Sequence, residues 1–417
     1  MTRHTLATAL LLLSALAAPL EAQTVTNRGF IEGQGTLFPE DGLNDTTRAV
    51  GDLLVRDELF AKPYDWLELA VGADLRANTH AQVQDEWRFD WDDRTIQRPR
   101  LALRRATATV TKGGLTLDLG KQFIRWGRAD VLSPTDRFAP KDYLTVVNTE
   151  ALSVYGVRPS LQLGKDIFEF VWVGRATPSR LPLLDQRWAA LPAAAQGGLP
   201  VRDTGGTPPN RSQEGARWRH VGDRLETSLS FFNGINHIPN LQARVAALPT
   251  GMPARLDLRR VYPELRTYGA DVAIPTSMVT LKGEAAYFLS PQSTNDEYVL
   301  YVIELERQVG DWLVDGGYAG ESVITRRETS FFNPERYLAK SIVGSVSYMG
   351  DPATTFSIEG AVKQTGKGVY VKSEYSRAIG QHWRATVTGI GIAGDVSDDI
   401  GQYRNNSSTS FGLRYSF

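Results

Sequence analysis

The segment 124–151 carries charged side chains of both signs at short spacing, which is the chemistry needed to discriminate solutes by charge. The charged residues are Arg125, Arg128, Asp130, Asp136, Arg137, Lys141 and Asp142. Cationic and anionic side chains that face each other across a narrow aqueous gap set up a transverse field. Alternatively, the arginines and aspartates pair with each other and fix the segment to a wall, as bidentate guanidinium–carboxylate bonds do. Both interpretations predict an ordered segment.

The chain offers no constellation of residues for catalysis or for a metal or cofactor. It contains no Cys, which excludes a thiolate metal site, a Cys nucleophile and a disulfide framework. The histidines beyond the N-terminal segment are scattered along the chain: His80, His220, His237 and His382. None of them lies in an HExxH motif, and the sequence has neither a GxSxG nor a GxxxxGK[ST] motif. We therefore predict a protein that is not an enzyme, with no catalytic, cofactor-binding or metal site.

The N-terminus resembles a secretory signal peptide. Arg3 and His4 precede an apolar stretch from Leu6 to Leu20, and the small residue Ala22 follows. This order of a basic start, an apolar core and a small residue at the cleavage site is typical of export signals. We predict a signal peptide over residues 1–22, cleaved near Ala22, and an exported mature chain over residues 23–417.

Beyond the signal, the apolar residues alternate with polar ones instead of forming long runs. In the segment 67–76 the odd-numbered residues are apolar, whereas the even-numbered ones include Glu68, Asp74 and Arg76. About eighteen such segments follow one another, with a typical length of roughly 11 residues. At ~3.3 Å per residue and a ~40° tilt, each spans about 28 Å, close to the ~25 Å apolar band of an outer-membrane barrel. The pattern predicts an all-β, antiparallel transmembrane barrel with about eighteen strands, and sixteen as the alternative.

Short and long connections alternate strictly along the chain. Turn dipeptides such as Lys112-Gly113 and Gly310-Asp311 form the short ones. The long connections run near 78–100, 124–151, 177–214 and 235–264, and 177–214 is rich in Pro and Gly. Bacterial outer-membrane barrels sort their connections in this way, with short periplasmic turns and long outer loops. Residues 124–151 are then the third outer loop and a candidate constriction of the lumen.

The polar phase of the strands predicts which side chains form the inner wall. In hydrocarbon each charge would cost about 2–4 kcal/mol at mid-depth, so these side chains must face water. The candidate wall residues are Glu68, Asp74, Arg76, Asp118, Glu169, Glu284, Glu304 and Glu306. Their number does not predict an ion preference.

The last segment ends in an apolar ladder of Phe411, Leu413, Tyr415 and Phe417. It resembles the C-terminal signal of Gram-negative outer-membrane β-barrels, which the barrel assembly machinery recognises as the closing strand. A lipid-facing ladder that ends in an aromatic ring at the membrane interface suits that role physically.

A second resemblance lies in Gly120-Lys121-Gln122, Trp126-Gly127 and the Pro134-Thr135-Asp136 stretch. This pattern is similar to porin-like barrels, including a barrel family of unknown function that is often found with RND-type exporters. The resemblance covers about 25 of the 417 residues and does not indicate which substrate the barrel takes.

The resemblance implies localisation in the bacterial outer membrane, in contact with phospholipid and lipopolysaccharide. It also implies a channel for passive or facilitated diffusion of small hydrophilic solutes. The alternative is a non-conducting barrel that serves as an exporter accessory or a surface receptor, with a lumen filled by its outer loops. A homotrimer and exporter components are the candidate protein partners. Nucleic acid is not expected, because the net charge is only −1.

Overall fold

The structure, a computed structural model, describes residues 24–43, 45–189, 200–246, 254–291, 295–327 and 332–417. The predicted signal peptide, residues 1–22, lies outside the described residues. Parts of the connections 177–214 and 235–264 also lie outside them. No helix among the described residues is long and apolar enough to cross a membrane.

One large sheet dominates the described chain. It contains nineteen strands, of which Phe89–Asp90 is a two-residue strand in an outer connection and pairs in parallel. The other eighteen are β1 (Thr24–Leu37), β2 (Ala49–Tyr64), β3 (Leu67–Asn78), β4 (Leu101–Lys112), β5 (Leu115–Gln122), β6 (Val154–Leu163), β7 (Asp166–Val173), β8 (Gln213–Val221), β9 (Glu226–Ile235), β10 (Glu264–Pro275), β11 (Thr280–Leu289), β12 (Glu297–Val309), β13 (Trp312–Thr325), β14 (Ser341–Asp351), β15 (Thr354–Lys363), β16 (Gly368–Ile379), β17 (Trp383–Gly394) and β18 (Ser408–Ser416).

The sheet closes into a barrel. Each of the eighteen strands pairs antiparallel with the next, and β18 pairs with β1 from Phe30–Ser416 to Leu37–Thr409. Closure leaves no strand edge with unpaired backbone groups, as a bilayer requires. The predicted all-β antiparallel barrel is confirmed, and eighteen is the correct strand number rather than sixteen.

Side chains alternate between the two faces of the wall. Along β7, Phe168, Phe170 and Trp172 are 45–49% exposed on the outer face, whereas the inward Val171 is fully buried. Large exposed apolar residues recur on nearly every strand, for example Phe411 on β18. Such a belt would be unfavourable in water and suits a hydrocarbon surrounding.

The connections differ in length at the two ends of the barrel. At the short-turn end, Gly113 and Gly310 adopt φ of +59°, a left-handed conformation that favours glycine in tight turns. At the long-loop end, the connections form a small sheet from Val201–Asp203, Asn240–Ala246 and Arg255–Val261. The same end carries a short helix, α1 (Pro334–Tyr337), and a 3-10 helix, Gly401–Asn406.

Candidate functional site

Loop 3, the connection 124–151 between β5 and β6, folds into the barrel. Trp126 and Phe138 of this loop are buried against Phe232 of β9 and Val171 of β7, which face inward. The Trp126 and Phe138 rings make an edge contact at 4.9 Å, and Phe138 makes another with Phe232 at 5.0 Å. The aromatic contacts fix the first half of loop 3 to the inner wall of β7–β9.

Glu284 of β11 anchors the next part of loop 3. Its carboxylate accepts the backbone N–H groups of Arg128 at 2.7 Å, Ala129 at 3.0 Å and Thr135 at 2.8 Å. It also accepts hydroxyl hydrogen bonds from Thr135 and Ser133. A buried carboxylate that accepts this many donors is well satisfied without a cationic partner. Sequence reasoning placed Glu284 on the wall but could not detect that it binds the loop.

Glu304 of β12 makes a weaker anchor of the same kind. Its two carboxylate oxygens accept the N–H groups of Asp130 at 3.2 Å and Val131 at 3.3 Å. The Asp130 side chain meets Lys282 at 2.6 Å, and Lys282 also binds Glu306 at 2.7 Å. Two predicted wall carboxylates, Glu304 and Glu306, therefore sit at the contact between loop 3 and the wall.

Arg125 and Arg128 have different surroundings, although both were predicted at the constriction. Arg128 binds Asp271 at 3.0 Å and Glu226 at 2.6 Å, and its side chain is mostly buried. The Arg125 side chain is 69% exposed and lies 3.6 Å from Asp136. Arg128 thus tethers loop 3 to β9 and β10, whereas Arg125 presents its charge to solvent.

Asp136 and Arg137 are both buried at the centre of loop 3. Asp136 accepts the Trp126 N–H at 3.0 Å, and burial raises the pKa of its carboxyl to about 6. Arg137 pairs with Glu335 of α1 at 2.8 Å and lies 5.1 Å from the Phe288 ring. The Arg137–Glu335 ion pair joins loop 3 to the connection between β13 and β14.

Asp142 is buried beneath the outer connections. It binds Arg98 at 2.9 Å and Arg180 at 3.3 Å. Burial alone would raise the pKa of the Asp142 carboxyl, but the two guanidinium groups hold it below its usual range. Asp142 therefore joins loop 3 to the 78–100 and 177–214 connections, and its role in ion selection stays a prediction.

An arginine cluster on the wall surrounds Glu150, near the end of loop 3. Arg56, Arg76 and Arg104 each contact the Glu150 carboxylate at 2.6 Å. Burial acts to raise the Glu150 pKa, but these guanidinium groups keep it well below its usual range. Asp74 shares the cluster, 2.7 Å from Arg56.

Sequence reasoning found only part of this cluster. Asp74 and Arg76 were among the predicted wall residues, and Arg56 could have been found, since it is paired with Asp74 across β2 and β3. Arg104 could not, because a β-bulge at Gly72–Ala73 shifts the register there and breaks the alternation.

The remaining predicted wall residues also lie on the inner face or at its rim. Asp118 pairs with Arg158 at 2.8 Å, and the Glu169 carboxylate accepts the indole N–H of Trp126. Glu68 is exposed at the short-turn end. These contacts fit a wetted wall, and individual roles in solute passage stay predictions.

Two of the cavities formed by the described residues lie inside the barrel beside loop 3. The larger, here called the loop-3 chamber, has a volume of about 320 Å³ and lies between loop 3 and the wall of β12–β17. Of the predicted constriction residues, Asp130, Asp136, Arg137 and Lys141 line it. The second cavity, of about 260 Å³, lies against β1 and β16–β18 and is lined by Glu374 and Arg414. Val147 of loop 3 borders both cavities.

Within the described part of the chain, no group of three or more His, Asp or Glu side chains is placed to hold a metal ion.

The fold matches solved structures of outer-membrane porins. The BenF-like porin from Pseudomonas fluorescens Pf-5 superposes with a TM-score of 0.55 at 9% identity, covering 94% of this chain and 97% of that one. OpdK from Pseudomonas aeruginosa gives 0.53 at 8% identity, with 95% and 99% covered. OccAB4 from Acinetobacter baumannii gives 0.52 at 12% identity, with 96% and 100% covered.

No family model matches the chain, and no curated protein matches it either. The likeness to solved structures establishes the fold, which is the closed β-barrel of outer-membrane porins. This fold agrees with the porin-like resemblance and the outer-membrane localisation predicted from the sequence.

Proposed function

We propose that this barrel is an outer-membrane channel for passive or facilitated diffusion of small hydrophilic solutes, with loop 3 as its selectivity element. The observation that carries the proposal is the position of loop 3. It lies inside the lumen, is held by Glu284 and Glu304, and leaves beside it a chamber of about 320 Å³ that charged, aromatic and aliphatic side chains line. A charged constriction beside an aqueous chamber is the arrangement that selects solutes by size and charge.

The outer face supports a membrane location and an orientation. Aromatic pairs lie at the short-turn end, including Trp312–Tyr348 at 4.8 Å and Trp383–Tyr415 at 5.0 Å. Rings of this kind favour the membrane–water interface. In this proposal the short turns and the terminal Phe417 face the periplasm, and the barrel assembly machinery recognises β18.

One observation favours the second candidate, a non-conducting accessory or receptor barrel. Ile238 and Leu241 of the 235–264 connection and Leu181 of the 177–214 connection are buried with Tyr143 of loop 3. The outer loops therefore pack onto loop 3 at the long-loop end. If they seal the lumen, the barrel binds a partner and does not conduct.

A liposome-swelling assay with purified protein distinguishes the two candidates. If the barrel is a channel that loop 3 narrows, proteoliposomes should swell faster in arabinose than in the larger trisaccharide raffinose. Swelling rates equal to those of protein-free liposomes for both sugars would contradict the channel and favour the receptor. Intact folding is checked on a denaturing gel, on which the unheated folded barrel has a different mobility from the heated, unfolded chain.

A further inference from the structure

Three carboxylates expose their charge to the loop-3 chamber at different depths. Asp399 lies in the connection between β17 and β18, Glu359 lies in the middle of β15, and Asp130 lies on loop 3 beside β11. Their side chains are 55%, 52% and 57% exposed, respectively. These exposures are far above those of most charged groups inside the barrel, so a solute in the chamber meets these oxygens first.

The cations that pair with these carboxylates are less exposed than the carboxylates themselves. Lys363 lies 3.1 Å from Asp399, Lys372 lies 3.9 Å from Glu359, and Lys282 lies 2.6 Å from Asp130. The lysine side chains are only 8%, 23% and 14% exposed. Each pair therefore turns its negative end to the chamber, and the local potential there is negative although the pairs are neutral overall.

The rest of the lining suits a solute with an apolar body and a positive charge. Tyr143, Tyr337, Tyr370 and Tyr403 line the chamber, and the Tyr370 hydroxyl donates to Glu359 at 3.1 Å. Aromatic faces attract cations, and this attraction grows when water is partly excluded. The lining contains two cationic side chains, Arg137 and Lys141, and the charge of Arg137 is balanced by its ion pair with Glu335.

We propose that the loop-3 chamber is a binding site for small organic cations, whose charged group moves along Asp399, Glu359 and Asp130 while the apolar body contacts the tyrosines. This inference deepens the proposed channel function and rests on it for the passage of the solute. Binding itself requires only the chamber.

The test compares benzylammonium with benzoate, two probes of similar size and opposite charge. Each is added to open channels in a planar bilayer in KCl at neutral pH, and the concentration that halves the K⁺ current is measured. We expect benzylammonium to block at concentrations about tenfold lower than benzoate. Equal block by both probes, or stronger block by benzoate, would overturn the proposal.

Variants assign the effect to the chamber. In the double variant Glu359→Gln/Asp399→Asn, block by benzylammonium should weaken about tenfold, as expected for two partly exposed ion pairs. Tyr370→Leu should weaken it about threefold and Tyr370→Phe hardly at all, since phenylalanine keeps the ring face. The matched control is Glu374→Gln, a carboxylate that lines the second cavity. A loss in Glu374→Gln as large as in the double variant would contradict the assignment.

A binding measurement separates failure of this site from failure of the channel. Benzylammonium is titrated calorimetrically into the detergent-folded wild type and the double variant. If no channel conducts but the wild type binds benzylammonium and the variant does not, the site stands and the channel function is wrong. If channels conduct but neither block nor binding responds to the variant, the channel stands and the cation site is wrong.

Discussion

Replacing Glu284 by alanine should release loop 3 from the inner wall. The carboxylate accepts three backbone N–H groups and two hydroxyls of residues 128–135, at distances of 2.7–3.0 Å. Glu284 is 3% exposed and Thr135 2%, so water reaches the abandoned Thr135 donors poorly. Arg128 and Ala129 are less buried, so water can replace part of the hydrogen bonding that their N–H groups lose with the Glu284 carboxylate.

The size of the effect follows from these contacts. Removing a charged acceptor costs about 1–3 kcal/mol for each buried donor left unsatisfied. Two such donors on Thr135 and partial losses elsewhere give a total of about 3–5 kcal/mol for the anchoring of loop 3. At about 1.4 kcal/mol per factor of ten, the population of the released loop rises roughly 10²–10⁴-fold.

Single-channel current and limited trypsin digestion measure the release. Glu284→Ala should give a larger, noisier current than wild type, and trypsin should cleave faster after Arg125 and Arg128. Glu304→Ala removes only two longer bonds and should give a smaller change. Glu374→Ala, in the second cavity, is the matched control. A quiet current of wild-type size and unchanged protection in Glu284→Ala would refute the anchoring role.

Three other changes have defined outcomes. Deleting Phe417 removes its paired backbone bonds to Gly29, at 3.0 and 3.2 Å, so the amount of heat-modifiable barrel in the outer membrane should fall; wild-type amounts would contradict a closing role. Burial raises the pKa of Asp136 from 3.8 to about 6, so the folded state binds this proton more tightly than the unfolded chain. The free energy of unfolding should then decrease by about 3 kcal/mol as the pH rises from about 4 to about 6. Asp136→Asn should remove this decrease in denaturant titrations. Arg125→Ala should shift the reversal potential in a salt gradient without loss of stability, whereas Arg128→Ala should lower the unfolding temperature; equal behaviour of both variants would be inconsistent with their different surroundings.

The fold could be predicted closely because a membrane barrel repeats one simple pattern. Inward and outward residues alternate, so strands such as β3 and β13 follow from periodicity and turn dipeptides to within a residue or two. Two boundaries deviate by four residues: the apolar alternation predicts that β2 ends near 60 and that β14 begins near 337, whereas β2 ends at Tyr64 and β14 begins at Ser341. Tyr337 belongs instead to α1, whose contacts with loop 3 are invisible to local periodicity.

The site could be predicted only in part because its contacts join distant segments. The charged residues of loop 3 were identifiable from their spacing, but their partners were not. Glu284 lies about 150 positions from the N–H groups that it accepts, and nothing local distinguishes it from other polar wall residues. For the same reason, the burial of Arg128 and the exposure of Arg125 became visible only in the folded chain.

Single-channel conductance of the refolded protein in a planar bilayer tests the channel function most directly. Loop 3 packed on the wall beside the loop-3 chamber predicts stable current steps that are proportional to voltage. The exposed carboxylates of Asp399, Glu359 and Asp130 predict a reversal potential in a salt gradient that indicates cation selectivity. Heat-modifiable barrels that insert into the bilayer but remain electrically silent would contradict the channel function and leave the receptor as the better explanation.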